Sequence, residues 1–436
     1  MKRILFVDDE PMVLAGLRRS LYFMCQEWEM QFVSGGQEAL EAMARQPFDA
    51  VVTDMRMPVM NGAQLLDQVR QRYPQCLRFV LSGQADQQTI LKTVSPAHQF
   101  LAKPCEGAEL KERLTRALAI RDLLRSQQLR GLIAKLESLP SLPTLYAELT
   151  NLLTKGDASV AQIGKLVSQD IALTAKMLQL VNSAFFGLRI EVSSAVDAVQ
   201  LLGIDTIRGL LLSTHVFSAF QTDLLSQADL LYLWNHSMAT ASFARKIAVL
   251  QGADRRLIDE CFTAGLLHDS GKLILACALH DMYGDVLSRA RCPNANLNAI
   301  EMEVLGCGHA DVAAYLLGLW GLPDGVIEGV AWHDRPTQSK HATFSSVLAT
   351  HLASVYDAQR TPYWLQDGTA LDVEYLTRIG YLEKEAAWRA SLLDAPTATE
   401  DLKKTQVQPI PSLSGPAARS KSPWRKLSFL SMTNLW

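Results

Sequence analysis

A chain of 436 residues is too long for one ordinary core and implies two or three domains of about 100–200 residues each. With 48% hydrophobic and 20% charged residues the composition is that of a globular protein, and a net charge of −3 excludes an overall basic nucleic-acid binder. Seven scattered cysteines without a C-x-x-C pair exclude an obvious disulfide framework and lead us to expect reduced thiols in the cytoplasm.

The opening Met1-Lys2-Arg3 is followed by too short an apolar run for a secretory signal. No segment approaches the roughly 18 apolar residues of a membrane span. Ile4–Val7 reads as a buried strand and Pro11–Met24 as a helix. A second strand at Met30–Val33 is followed by a helix at Gly36–Arg45, and a third at Ala50–Thr53 by a helix at Gly62–Arg72. The fourth and fifth strands fall at Arg78–Leu81 and Gln99–Ala102, with helices at Gln87–Val94 and Gly107–Ala119. Five strands alternating with five helices predict an α/β domain over 1–119, with a parallel sheet covered on both faces. Sites in such sheets lie beyond the carboxyl ends of the strands.

A helical linker is expected over 120–140, with Leu110, Leu114, Leu118, Leu124, Leu129 and Leu132 as an apolar seam. Its end is set by Leu139-Pro140-Ser141-Leu142-Pro143. From 141 to 393 the pattern is almost wholly helical, with runs at Val160–Val167, Leu173–Val181, Ala195–Leu202, Ile207–Phe220, Leu230–Leu250 and Leu257–Ala278. From 394 to 436 the composition turns to Pro, Ser, Thr and Lys, which predicts a disordered tail. From Leu402 onward this tail is basic, with Trp424, Phe429 and Trp436 interleaved. A solvated tail is the plainer reading, and a membrane-surface or partner-binding peptide the alternative.

Each strand end of the first domain carries one chemical part. Asp8 and Asp9 follow strand one, Asp54 strand three, Ser82 strand four and Lys103 strand five. Three carboxylates gathered at one edge repel one another, and Mg2+, a hard oxygen-seeking cation, relieves that repulsion. Lys103 supplies a point charge for a phosphate and Ser82 a hydroxyl donor.

These segments resemble a response-regulator receiver domain. The matching blocks are Ile4-Leu5-Phe6-Val7-Asp8-Asp9-Glu10-Pro11, Asp54-Met55-Arg56-Met57-Pro58-Val59-Met60-Asn61-Gly62, Leu81-Ser82-Gly83 and Lys103-Pro104. The resemblance implies a flavodoxin-like fold with Asp54 as phosphoacceptor. It implies Mg2+ on Asp8, Asp9, Asp54 and the Arg56 carbonyl, with Ser82 and Lys103 on the phosphoryl group. Phe100 takes the position of the aromatic switch residue. A sensor histidine kinase or phosphotransfer protein is the implied phosphoryl donor.

In the helical region, Gly265-Leu266-Leu267-His268-Asp269-Ser270-Gly271-Lys272 carries a helical His-Asp pair, with His236 about thirty residues earlier and His309 and His333 later. Imidazole and carboxylate together suit Mn, Fe, Ni or Zn; a hydrogen-bonded structural pair is the equally weighted reading. The pair resembles the HD superfamily of metal-dependent phosphohydrolases. The wider context, Leu136–Pro143, Ile163–Asp170, Leu178–Gly187 and Ala198–Gly203, resembles the HDOD (HD-related output) domain. That likeness implies an all-helical signalling or scaffold module without turnover. His236, His268 and Asp269 match the first three HD ligand positions, and His351 stands at the last, where catalytic relatives carry aspartate. Asp357 lies six residues further and is not expected simply to substitute for it as a ligand. Trp332-His333-Asp334-Arg335-Pro336 is similar to a histidine region of the HD-GYP phosphodiesterases, whose Gly-Tyr-Pro part is absent.

The reading is a response regulator of a phosphorelay, with Asp54 phosphorylation controlling a helical HDOD output domain. The alternative is a receiver-controlled HD phosphohydrolase acting on a nucleotide or cyclic dinucleotide. Further implied partners are a downstream protein and, optionally, a second copy of the chain; no DNA-binding motif is found.

Overall fold

The computed structural model describes residues 1–393 apart from 83–96, 104, 106, 122–126, 134–139, 142–144, 146–147, 150, 154–158, 183–190, 205–206, 208–217, 220–222, 293–294 and 367–369. The expected helix at 87–94, the residues Leu124, Phe185, Phe186 and Gly187, and the tail 394–436 lie outside the described residues, as does most of the linker.

The chain opens β1 (Lys2–Val7), α1 (Pro11–Ser20), β2 (Trp28–Val33), α2 (Gly36–Arg45), β3 (Ala50–Asp54), α3 (Gly62–Arg72), β4 (Leu77–Ser82), β5 (Gln99–Ala102) and α4 (Gly107–Arg121). The five strands form one parallel sheet in the order β2-β1-β3-β4-β5. Their near-continuous apolar runs follow from burial on both faces: Ile4, Leu5, Phe6, Ala50, Val51, Val52, Phe79 and Val80 are fully buried. Helix α1 stops earlier than its spacing suggests. A 3₁₀ turn at Tyr22–Met24 follows, and its tighter pitch sends both Leu21 and Met24 into the core.

Next come α5 (Gln127–Ile133), the short β6 (Pro140–Ser141), α6 (Val160–Val167), α7 (Ile171–Val181) and α8 (Ala195–Leu202). A second short strand, β7 (Ser218–Ala219), pairs in parallel with β6. The helix expected over 207–220 therefore does not persist to its end: backbone pairing with Pro140–Ser141 claims its last described residues. The helical body continues with α9 (Gln227–Gln251), α10 (Arg255–Leu267), α11 (Ser270–Ala278), α12 (His280–Ala290), α13 (Leu297–Leu305), α14 (His309–Leu319), α15 (Asp324–Ala331), α16 (Ser346–Arg360), α17 (Val373–Arg378) and α18 (Leu382–Leu393).

The single helix expected over 257–278 is two helices. It breaks at His268-Asp269, where Asp269 leaves helical geometry (φ −95°, ψ 3°). Gly271 then passes so close to the His309 carbonyl that a Cβ would lie 1.9 Å from it. The break turns two successive polar side chains inward.

Leu110, Leu114 and Leu118 on α4 and Leu129 on α5 are buried, as a seam requires. Helix α4 packs on α14 of the helical body. Arg116 Nη1 lies 2.9 Å from Glu191 Oε1 and Arg116 Nε 2.5 Å from Asp324 Oδ1. At the start of β5, Gln99 Nε2 donates to the Gly318 carbonyl at 3.1 Å.

Candidate functional site

The strand register determines which side chains meet in the sheet. Val7 pairs with Thr53, Asp54 with Leu81 and Ser82 with Ala102, so the residues just beyond β1, β3 and β5 share one edge. Asp8 and Asp54 are buried there and Asp9 is half-buried. Lys103 Nζ donates to Asp8 Oδ2 at 2.7 Å and pairs with Asp54 Oδ1. Burial alone would pull the Lys103 ammonium down, but its bonds to Asp54 and Asp8 outweigh that and hold it above the ordinary lysine value. The remaining carboxylate oxygens take backbone donors: Glu10 N on Asp8 Oδ1 at 2.9 Å, and Arg56 N on Asp54 Oδ2 at 2.5 Å.

The loop after Asp54 is shaped around it. Val59 adopts φ 66°, a left-handed conformation that costs a β-branched residue energy, and it is fully exposed. Gly62 opens α3 against the Asp54 carbonyl, where a Cβ would sit 2.1 Å from the oxygen. An Asn61–Gln64 capping box starts that helix. Two carboxylates, Asp8 and Asp54, face one ammonium, and Asp9 follows directly in the chain, so an uncompensated negative charge remains at a half-open edge. That donor set fits a divalent, oxygen-seeking cation. Ser82 ends β4 beside Ala102 and Phe100 pairs with Val80 in β5, but their side chains lie outside the described residues.

The second site lies among the helices. His236 comes from α9, His268 and Asp269 from the break between α10 and α11, His309 from the start of α14, and His333 from just after α15. All five are at most 4% exposed. Two triads share Asp269: His236, His268 and Asp269, and Asp269, His309 and His333, with donor atoms within 4.8 Å of one another in each. His236 Nε2 lies 3.3 Å from His268 Nε2, and His309 Nε2 lies 3.5 Å from Asp269 Oδ1.

Each imidazole is anchored from behind. The four Nδ1 atoms sit 2.7 Å from Asp357 Oδ2 (His236), 2.8 Å from the Gly265 carbonyl (His268), 2.7 Å from Glu301 Oε2 (His309) and 2.8 Å from the Val330 carbonyl (His333). An acceptor behind Nδ1 keeps the proton there and leaves Nε2 as a lone pair. Glu301 is itself oriented by the Tyr283 hydroxyl at 2.9 Å. Burial pushes His268 well below the ordinary histidine value, which keeps it neutral. Burial would raise Asp269, but its interactions with His268, Lys272 and the other histidines hold it well below the usual carboxylate range. Lys272 Nζ contacts both Asp269 oxygens at 2.9 Å and donates to the Leu365 carbonyl at 3.0 Å. Converging imidazole lone pairs around a carboxylate suit a transition-metal cation.

One sequence expectation changes here. His351 does not reach the centre: its Nδ1 bonds the His333 carbonyl at 2.7 Å, and its Nε2 accepts from Asp372 N at 3.1 Å. One helical turn on, Ser354 Oγ lies 3.5 Å from His236 Nε2. Asp357, which the sequence did not offer as a substitute ligand, stands behind His236 as its anchor. A motif alignment counts positions, whereas the helical phase of α16 decides which of His351, Ser354 and Asp357 turns inward. Lys272 and Glu301 were also missed as partners; the Gly271-Lys272 that follows His-Asp was the available signal for the first.

A parallel sheet with an acidic carboxyl edge, continued into a helical body with a sealed His-Asp centre, defines a receiver-type signalling protein. Residues 4–115 match the response regulator receiver domain, and residues 139–336 match the HDOD domain. The chain carries a response regulator receiver domain followed by an HDOD domain. It is 30% identical over 236 residues to a protein of Treponema pallidum (strain Nichols), covering 52% of this chain and 44% of that one. It is 32% identical over 122 residues to the response regulator protein PilR of Pseudomonas aeruginosa, covering 28% of this chain and 27% of that one. The chain thus spans less than half the length of these curated relatives. Among solved structures it is similar to the MmoQ response regulator of Methylococcus capsulatus, at 26% identity over 59% of this chain and 98% of that one, with a TM-score of 0.46. An HDOD domain protein of Geobacter sulfurreducens aligns at 21% identity over 67% of this chain and 92% of that one, with a TM-score of 0.33.

Proposed function

We propose that a histidine kinase or phosphotransfer protein phosphorylates Asp54, and that this controls how the HDOD body meets a downstream protein. In the transfer, an Asp54 carboxylate oxygen attacks the donor phosphorus. The donor's phosphorus–nitrogen bond breaks and an acyl phosphate forms. Asp8, Asp9 and Asp54 with the Arg56 carbonyl would hold Mg2+, which supplies charge neutralisation for the phosphoryl oxygens. Lys103 leaves its bond to Asp54 for the new phosphate, and Ser82 donates to it. The product adds about −1.5 to −2 charges at this edge.

The observation that carries the control is the placement of β5. Lys103 follows its carboxyl end at the phosphoacceptor edge, and Gln99 begins it with a bond to Gly318 of the helical body. Phe100 lies between them. At about 3.3 Å per residue, four residues of strand separate the two contacts by roughly 13 Å. A movement at Lys103 and Phe100 therefore has a short rigid bar to the contacts made by Gln99, Arg113 and Arg116 with the helical body. The domain limits supporting this reading are 1–119, 120–140, 141–393 and 394–436.

Hydrogen exchange with and without beryllofluoride, a phosphoryl mimic, tests it. Exchange should rise in 191–195 and 318–324 as well as in the receiver. A response confined to 1–119 would leave the helical body uncontrolled and refute the reading.

A second reading is favoured by the four anchored imidazoles: the His-Asp centre of His236, His268, Asp269, His309 and His333 holds a transition-metal cation. Its sealed state supports a structural or sensory role over hydrolysis of a nucleotide or cyclic dinucleotide, because a phosphoester cannot reach residues buried this completely. Metal analysis of protein purified with Mn2+, Fe2+ or Ni2+, with a phosphoester panel, separates these roles. Turnover lost in folded Asp269→Ala would make the protein a hydrolase. A cytoplasmic location is supported by the absence of disulfides among the seven cysteines; among the described residues no helix is long and apolar enough to cross a membrane.

A further inference from the structure

The His-Asp centre has one wall that is not a helix. Residues 361–366 cross from the end of α16 over the His236 side, and His236, at 4%, is the most exposed of the five centre residues. We infer that this segment is a strap, latched on Asp229, that opens to admit a cation to the centre; the inference rests on the cation reading given above.

Asp229 divides its two oxygens between two tasks. Oδ2 caps α9, accepting from Ser226 N at 2.8 Å and Ser226 Oγ at 2.7 Å. Oδ1 accepts from the Tyr363 hydroxyl at 2.7 Å and Trp364 Nε1 at 3.0 Å. The strap is thus held by side chains rather than by a backbone ladder, the kind of attachment that opens locally without global unfolding. Arg291 reinforces the latch, with its guanidinium 4.4 Å from the Trp364 ring centroid.

The strap also forms a stack that ends on a candidate ligand. The Tyr363 ring stacks on Tyr232 at 4.1 Å, and Tyr232 stacks on His236 at 5.7 Å with the planes 7° apart. Gln366 Nε2 holds the Tyr232 hydroxyl at 2.8 Å. Leu365 is fully buried, and its carbonyl takes a bond from Lys272, the lysine that also grips Asp269. Lifting 363–366 therefore strips Tyr363 and Gln366 from Tyr232, the ring that covers His236, and removes one acceptor from Lys272 together. A cation uses both changes: a freed Tyr232 ring can swing off His236, and Lys272, no longer tied to the Leu365 carbonyl, can shift aside at Asp269.

Because the two oxygens of Asp229 act separately, the latch can be cut without touching the α9 cap. In full-length Tyr363→Phe/Trp364→Phe, the donors to Oδ1 are gone while the Tyr232 stack and the Ser226 box remain. Metal-free protein is treated with diethyl pyrocarbonate, and modified histidines are mapped by mass spectrometry. Exposed His280 should react equally in both proteins. His236 and His268 should be protected in the wild type and react at least ten-fold faster in the double variant, and Co2+ uptake followed by absorbance should accelerate alike. Equal protection of His236 in a double variant with an unchanged unfolding midpoint overturns the strap. Faster labelling without cobalt uptake in either protein overturns the cation reading and keeps the strap as a closure. Should the double variant unfold, Tyr363→Phe alone decides by the same labelling ratio.

Discussion

Both sites set a lysine against an aspartate, yet they differ in access. In the receiver, Lys103 bridges Asp8 and Asp54 at an edge where its side chain is 25% exposed. In the helical body, Lys272 grips Asp269 where both side chains are 2% exposed. An open carboxylate can meet a phosphoryl donor, and its charge is shared with solvent. A sealed one must be balanced by the protein, so it is tied to the fold. The open site is therefore expected to tolerate charge changes and lose only chemistry, whereas the closed site loses structure.

The largest contrast comes from one substitution made at both sites. Gly271→Ala places a Cβ 1.9 Å from the His309 carbonyl, within the helical core. Overpacking there should cost about 3 kcal/mol or more, read as a collapse of the thermal midpoint of the helical body. Gly62→Ala places a Cβ 2.1 Å from the Asp54 carbonyl. It should displace the loop and abolish labelling by acetyl phosphate while the helical body melts normally. Normal labelling of Gly62→Ala would show that Asp54 does not depend on this close packing.

Asp269→Ala should come next, at about 3–5 kcal/mol, because it strands a buried ammonium and removes the carboxylate that both triads share. Phosphorylation should persist in this variant. Asp54→Asn is its counterpart: labelling vanishes, and stability falls far less than in Asp269→Ala, because the isosteric amide oxygen still accepts from Arg56 N and Lys103 keeps Asp8. A large stability loss in Asp54→Asn would erase the distinction between an open and a closed site.

A pH-dependent effect belongs to Lys176 on α7. It is buried near Trp320, and burial lowers it to about 8. Below that pH the folded state carries a charge it disfavours, at a cost of about 3 kcal/mol for this displacement from an ordinary lysine. As pH rises from about 8 to 10.5 the unfolded chain binds more protons than the folded one, so stability should increase. Lys176→Met should be more stable than the wild type at pH 7, and the gap should close by about pH 10.5. A gap that is constant with pH would show that Lys176 is not the titrating group. At the small end, Arg3→Ala breaks a half-exposed pair with Glu29 and should leave the thermal midpoint almost unchanged.

The receiver was legible because its signals are local. Each strand is a short apolar run, and each functional residue follows one directly, so alternation predicts both the sheet and the edge on which Asp8, Asp54 and Lys103 meet. Most predicted boundaries there fall within two residues of the observed elements; the helix expected to reach Met24 ends at Ser20. The helical region gave its class by periodicity, but not the break at His268-Asp269, which depends on the close approach of Gly271 to α14.

What the sequence determined by itself was therefore the two-part architecture, the carboxylate edge and the identity of His236, His268 and Asp269 as ligand-type residues. Tertiary structure alone decided the composition of the His-Asp centre. It brought in His309 and His333 from distant elements, turned His351 away, and set Asp357 and Glu301 behind imidazoles 121 and 8 residues distant in sequence. The physical reason is geometric. In a parallel sheet the strand ends share an edge whatever the details, whereas between helices a side chain's direction depends on helical phase and crossing angle, which no local pattern records.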